Sequence, residues 1–394
     1  MKSVEKKDKV FVGLSGGVDS SVAAALLQKR GYEVVGVFIK IWDAADDWGV
    51  KCTWREERRD AMRVAARLDI PLLTLDLTRE YKRSVVDYMI AEYRAGRTPN
   101  PDVMCNRQIK FGAFFNWARW HDADYVATGH YVRGDHLTPS PSPKERGVCS
   151  SFSLPFGEGL RVGWRLRIAA DPAKDQSYFL WTLTQAELRH CLFPIGDYQK
   201  SEVRRLAKKF GLSTADKKDS QGLCFIGDWN LKDFLRRYIK PKKGNVLNES
   251  GAIIGEHEGA WYYTIGERRG FTITQKTSAD KPYYVVAKDV EKNQLIVGHA
   301  GTPGPAVSRP GSKLITLADV NWISGVGPTA DKIYQAQIRY RGKLYRCRLS
   351  LINNQTKLIF LDLPEAIALG QSAVIYDGEI MLGGGVIDAI LPLC

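Results

Sequence analysis

Val10-Phe11-Val12-Gly13-Leu14-Ser15-Gly16-Gly17-Val18-Asp19-Ser20-Ser21 runs an apolar strand into a Ser-Gly-Gly-x-Asp-Ser turn that opens a helix. Gly16 and Gly17 carry no Cβ, so the backbone can turn sharply and approach an anion, while Ser15, Ser20 and Ser21 present hydroxyls. A helix over 21–30 then aims its unpaired N–H groups and positive dipole end at the same point. These residues predict a loop that grips a pyrophosphate. Neither the G-x-x-x-x-G-K-[ST] pattern nor G-x-G-x-x-G is matched.

Working outward from that loop, short apolar strands alternate with amphipathic helices as far as Thr128: 33–39, 56–68, 72–75, 81–93, 109–120 and 125–128. Such alternation predicts an α/β fold with a doubly wound parallel sheet. Ligands of such sheets sit beyond the carboxyl ends of the strands, where Ser15 to Ser20, Ile39 and Thr128-Gly129-His130 fall. Pro, Ser and Gly crowd residues 134–163, which read as a flexible insertion. Helical structure is expected to resume over 174–210, with Ser201 as a capping serine. A catalytic domain over 1–225 is therefore expected. A small mixed α/β domain over 226–307 follows, holding a basic helix at 231–238 and strands at 261–265 and 283–287. The β-rich runs of 308–394 have the spacing of a small closed β-barrel.

At 394 residues the chain exceeds one comfortable core. It has no apolar run of membrane-spanning length and no leader-like start, and its seven cysteines lack paired C-x-x-C spacing, so a reducing, cytoplasmic setting is expected, with no metal site. The net charge of +13 suggests a polyanionic partner. Residues 201–250 hold 12 Lys and Arg against 6 Asp and Glu, and residues 301–350 hold 8 against 2. A nucleic acid would thus lie across the middle and C-terminal parts, feeding its reactive group into the N-terminal site.

Two cysteines stand in segments read as loops. Cys105 lies in Gly96 to Phe111, behind Pro99 and Pro101, with Asn100 and Asp102 before it and Arg107 and Lys110 after it; Cys224 follows Lys217-Lys218-Asp219-Ser220-Gln221-Gly222. Beside a glycine loop that resembles the signature of the PP-loop ATP pyrophosphatases, which activate an oxygen by adenylation, such a pair has a specific logic. An adenylated carbonyl oxygen is a good leaving group, a cysteine persulfide supplies the sulfur that replaces it, and a second thiolate closes a disulfide behind it. The two must then meet with Cα atoms within about 7 Å, although 119 positions separate them.

The glycine loop resembles the signature of the PP-loop ATP pyrophosphatases. Further stretches (Gly96 to Phe111, Ala127 to Tyr131, Lys174 to Leu180, Phe193 to Gly196, Asp219 to Gly227, Tyr263 to Gly266 and Leu382 to Gly385) extend the resemblance, over nearly the whole length apart from 134–163, to the tRNA-specific 2-thiouridylases. That resemblance implies ATP with Mg2+ at Gly13, Leu14, Ser15, Gly16, Gly17, Val18, Asp19, Ser20, Ile39 and Gly129. It implies Cys105 as nucleophile, Cys224 as persulfide carrier and a disulfide between them. Asn100, Pro101 and Asp102 would hold the target base, with Asp102 an acid/base group. Lys174, Asp175, Gln176, Arg339 and Tyr340 would touch tRNA, and His130 and Gln371 would support it; Arg339-Tyr340-Arg341 does combine cations with a stacking face. The implied partners of a monomeric enzyme are wobble-uridine tRNAs of the Glu, Gln and Lys type and a persulfide donor protein. The 134–163 insertion is longer than such chains usually carry, and Gln371 follows Leu369-Gly370 where a proline is more usual before the glycine. Two other readings of the loop are an amidating synthetase that adenylates a small acceptor and a tRNA-binding protein without catalysis.

Overall fold

Seven strands appear in the N-terminal half: β1 (Lys9–Gly13), β2 (Glu33–Lys40), β3 (Leu72–Asp76), β4 (Tyr125–Ala127), β5 (Arg133–Leu137), β6 (Gly163–Arg167) and β7 (Cys191–Leu192). The computed structural model describes residues 7–43, 54–137, 163–218, 231–274, 281–299, 314–330, 332–352, 355–364 and 366–391. Five of the strands form a parallel sheet in the order β3-β2-β1-β4-β7. Alternate residues of β1 serve opposite faces, as the two-residue period of a strand requires. Val10 and Val12 join the core under the helices Val18–Lys29, Trp54–Leu68 and Lys200–Lys209. Phe11 joins the core under the helical segments of 78–94 and 101–120. All three are buried to within 2 %, each contributing about 1.5–3 kcal/mol of apolar burial. A doubly wound sheet is therefore present, with the strand order reversing between β1 and β4.

The central unit is a mixed five-stranded sheet of β8 (Gly244–Leu247), β9 (Ile253–His257), β10 (Thr272–Ile273), β11 (Tyr284–Asp289) and β12 (Gln294–Gly298). Its Phe234, Val246 and Leu295 share one buried cluster with Met89 and Tyr93, so it is packed onto the N-terminal unit. At the C-terminus, β13 (Leu314–Trp322), β14 (Tyr334–Gln337), β15 (Leu344–Ile352), β16 (Gln355–Phe360), β17 (Ser372–Asp377) and β18 (Ile380–Leu391) follow the order β13-β16-β15-β14-β17-β18. Antiparallel pairing of β13 with β18 closes the ring, giving the six-stranded barrel.

Several local expectations change. The first helix begins at Val18 rather than Ser21, placing Asp19 and Ser20 inside its first turn. Cys105 lies in a helix, not a loop, because Asn100 caps Val103 N (3.2 Å) and Pro101 occupies the first helical position, where its missing N–H costs nothing. Helical structure then continues through Pro101–Met104, Cys105–Phe114 and Phe115–Trp120. Residues 174–210 are mostly turns, with helix only at Ser177–Phe179, Gln185–Leu188 and Lys200–Lys209. Gln199, in a capping box with Glu202, caps the last of these in place of Ser201. The expected strand at 261–265 is a helical turn, Ala260–Tyr262. The ends of the 134–163 stretch are strands: β5 and β6 pair antiparallel, and β6 adds to β18, so the hairpin extends the barrel sheet. Residues 138–162 between them, including Cys149, lie outside the described residues, as do Cys52, Cys394 and the segment 219–230 with Cys224.

Candidate active site

The crevice at the reversal of strand order holds the glycine loop. Ser15 and Ser20 join their hydroxyls (3.1 Å), Ser15 N donates to Ser20 Oγ (3.2 Å), and Ser21 Oγ donates to Gly17 O (2.7 Å). These bonds hold the turn open without filling it. Gly17 precedes the helix and no side chain caps the helix's first N–H groups, so they face the crevice as ready anion donors. Gly16 has φ +74°, and a Cβ there would lie 2.2 Å from Glu57 O. Gly129, at the end of β4, packs its backbone on the same turn: a Cβ would lie 2.6 Å from Ser20 N. Ile39 lies on β2 beside Gly13. The structure thus brings together all the residues expected at the nucleotide.

Four residues around the loop were not anticipated. Lys200 Nζ donates to both oxygens of Asp19 (2.7 and 2.9 Å), and Tyr131 Oη donates to Asp19 Oδ1 (2.8 Å). Lys217 Nζ donates to Gly16 O (3.0 Å) and to Asp60 Oδ2 (2.6 Å). Two ammonium groups therefore stand at the loop, each partly withdrawn from water, where a charge interacts more strongly than in bulk. The sequence signal was only a pair of lysines far along the chain.

A second cluster lies on the helix that begins at Pro101. Asn100 caps it, Asp102 sits in its first turn, and Cys105 follows one turn on, buried at 3 % exposure among Ile109 and Phe114. Burial pushes the Asp102 carboxyl above the usual carboxylate range, a shift that Lys110 partly counters. The barrel grips the approach to this helix. Gln371 Nε2 donates to the carbonyls of Thr98 and Pro99, both at 3.1 Å, and Thr98 N donates to Leu369 O (2.7 Å). Gly370, at φ +89°, lies so close that a Cβ would be 3.0 Å from Thr98 O. Gln371 is thus a strut under Asn100 rather than an outward contact. Replacing it by leucine removes two neutral hydrogen bonds, worth about 1–3 kcal/mol together. Gln371→Leu is expected to raise the KM for the substrate that enters beside Asn100 about tenfold with kcat and the KM for ATP little changed; steady-state kinetics with an unchanged KM would refute the strut.

The remaining expected contacts divide. Arg339 is exposed, and Tyr340 stands in the turn after β14 with its ring 4.3 Å from that of Phe179 and the Arg341 guanidinium 5.1 Å from its centroid. Lys174 lies on the turn after Asp171. Asp175 and Gln176 point inward: Asp175 accepts from Ala169 N (2.8 Å) and Ser177 Oγ (2.7 Å), and Gln176 Oε1 accepts from Tyr131 N (3.0 Å). Their geometry is that of a brace for the Lys174 turn. His130 is buried between Thr128 Oγ1 (2.7 Å) and Lys110 Nζ (3.5 Å), and burial with the Lys110 charge holds its pKa well below the usual histidine range, so it stays neutral. The relation of Cys105 to Cys224 lies outside the described residues. No group of three or more potential metal ligands and no helix long and apolar enough to cross a membrane occurs among the described residues.

Comparison with known proteins covers every part of this architecture. Family models described as a tRNA methyl transferase HUP domain, a tRNA methyl transferase PRC-barrel domain and an aminomethyltransferase beta-barrel domain match residues 8–228, 232–299 and 312–387. The tRNA-specific 2-thiouridylase MnmA of Shewanella putrefaciens is 43 % identical over 97 % of this chain and 96 % of its own length. Its counterpart in Thiobacillus denitrificans is 43 % identical over 96 % of this chain and 99 % of its own. A 4-thiouridine synthetase–RNA complex with bound ATP matches 55 % of this chain and 44 % of that one at 20 % identity, with a TM-score of 0.32, too low to support an argument.

Proposed function

The chain belongs to the tRNA-specific 2-thiouridylase family, and from that premise we propose that it thiolates C2 of the wobble uridine of tRNA at the expense of ATP. The observation that carries the reading is the crevice at the β1–β4 reversal, where uncapped helix N–H groups, Gly16, Gly129, Lys200 and Lys217 surround a site for a pyrophosphate. Loop N–H groups hold the phosphates, and the two lysines offset charge on the leaving pyrophosphate as O2 of the uridine takes the adenylyl group. Mg2+ bound with ATP would offset charge on the phosphates. Asp19, already engaged by Lys200 and Tyr131, is the nearby carboxylate able to contribute one more oxygen.

Asn100, Pro101 and Asp102 line the pocket for the uracil, which must leave the stacked loop to enter it. Asp102, with its raised pKa, is suited to hold or release a proton at the base. Sulfur then arrives from a persulfide on Cys224. The Cys105 thiolate attacks the inner sulfur of Cys224, a Cys105–Cys224 bond forms, and the outer sulfur leaves as hydrosulfide. That sulfur attacks C2 and AMP departs with the original oxygen, so each turnover leaves one disulfide for an external dithiol to reduce. A persulfide donor protein must reload Cys224. Lys174, Arg339 and Tyr340 serve the backbone and bases of the tRNA.

Thiolation is tested by retardation of a glutamate-type tRNA in a mercury-containing gel, with ATP, magnesium and a persulfide source. Retardation that depends on ATP is expected; AMP release without retarded tRNA would point to another acceptor. Affinity for tRNA is expected to fall steeply with salt, by roughly 10³ between about 50 and 200 mM if about six phosphates are neutralised. A flat response in filter binding would contradict the role given to the basic segments.

A further inference from the structure

Residues 95–100 join the helix that ends at Arg94 to the one that starts at Pro101 and form neither helix nor strand, so their path is set by what packs on them. Thr98 is 8 % exposed, and its polar groups are taken by two different units. Its N–H and its carbonyl go to the barrel's Leu369 and Gln371, whereas its Oγ1 donates to Thr264 Oγ1 of the central unit (3.3 Å). Gly96 meets the central unit as well: at φ +74° it passes so close that a Cβ would overlap Val290 Cγ2. Thr264 and Val290 belong to one braced piece. Gly266 N donates to Val285 O (2.8 Å) and Val285 N to Glu267 O (2.9 Å), which ties the 263–267 turn to β11, and Val290 follows β11 directly. Within the turn, Thr264 N donates to Glu267 Oε2 (3.1 Å), Lys232 Nζ pairs with Glu267 (2.6 Å), and Lys288 Nζ donates to Tyr263 O (2.5 Å). The stretch Tyr263-Thr264-Ile265-Gly266 is thus a stiff turn with one hydroxyl joined to Thr98.

We propose that the central unit is a positioning element for the target base: through Thr264 and Val290 it holds Thr98 and Gly96 against the barrel, and so sets where Asn100 and Asp102 meet the uracil. Only Pro99 lies between Thr98 and Asn100, and its ring fixes φ, so a shift at Thr98 passes to Asn100 with little damping. Thr264 acts through Thr98 and touches neither the base nor the nucleotide. The barrel and the central unit then work as two jaws. One takes the backbone of Thr98 and the other its side chain, and the base-holding segment has its working position only when both are closed on it. The inference rests on the thiolation reading, which places the uracil at Asn100.

The test uses the full-length protein and two tRNAs, one with uridine at the wobble position and one with an abasic ribose there. The ratio of their affinities in filter binding reports the grip on the base, apart from the phosphate contacts that both share. Thr264→Val leaves the buried Thr98 hydroxyl without its acceptor and is expected to narrow the preference for uridine about fivefold, with affinity for the abasic tRNA unchanged. Thr264→Ser keeps the hydroxyl and should keep the preference. Gly96→Ala is expected to narrow it about tenfold, and adding Val290→Ala, which removes the obstructing methyl, should restore most of it. Thermal melts report that the variants fold; should Gly96→Ala not fold, the two Thr264 variants decide. A wild-type preference in Thr264→Val, or a loss in Gly96→Ala that Val290→Ala does not relieve, overturns the positioning role and leaves the thiolation reading standing. A wild type that binds both tRNAs alike removes the base pocket itself.

Discussion

Cys105→Ser and Cys224→Ser are each expected to abolish thiolation, by about 10³-fold or more, with tRNA affinity held within a few-fold of wild type. Serine is close to isosteric with cysteine. In the helix that starts at Pro101 a hydroxyl at 105 can bond the carbonyl one turn back, so the buried site tolerates it. What is lost is the soft sulfur nucleophile. Because adenylation precedes sulfur transfer in the proposed sequence, ATP–pyrophosphate exchange dependent on tRNA should survive in both variants. Thin-layer assay of exchange beside the mercury gel checks this. Continued thiolation by either variant sinks the role given to that cysteine, and loss of exchange with loss of tRNA binding indicates a collapsed pocket instead.

Gly16→Ala is the second large effect. Its added Cβ would stand 2.2 Å from Glu57 O at a φ of +74°, and the obstacle is backbone, which cannot rotate away. Either the loop or the helix Trp54–Leu68 must shift, drawing Gly16 O from Lys217 and the helix N–H groups from the phosphates. A displacement of about 1 Å costs roughly 10²-fold in rate. AMP formation should fall by that order, with tRNA affinity unchanged. Gly31→Ala is the control: its φ is +92° but nothing lies within 4 Å of the added Cβ. It should lower stability by about 1 kcal/mol and leave the rate alone. Equal rates for the two variants would remove Gly16 from the nucleotide site.

The alternation of apolar strands and amphipathic helices made the N-terminal sheet legible, and regular short runs did the same for the barrel, because both patterns are written within a few residues. The crevice was legible for the same reason: Gly13 to Ser20 and Gly129 follow strands, and strand ends are where such sheets bind. The sequence reading puts Cys105 in a loop because two prolines stand before it, when asparagine as cap and proline at the first helical position also start a helix. Lys200 and Lys217 were out of reach, lying 181 residues from Asp19 and 201 from Gly16 respectively. Nor does a local pattern say which way a polar side chain turns. Asp175 and Gln176 look like surface residues in the sequence, yet both are spent on backbone N–H groups.

The pairing of β5 with β6, and of β6 with β18, gives the chain a place to grow. Once the two stems are fixed to the barrel, the closure cost of whatever joins them rises only with the logarithm of its length, about 0.6 kcal/mol for each doubling. The chain can therefore lengthen between these stems at little cost, where an insertion between Thr98 and Asp102 would break the bonds by which Leu369 and Gln371 hold that approach.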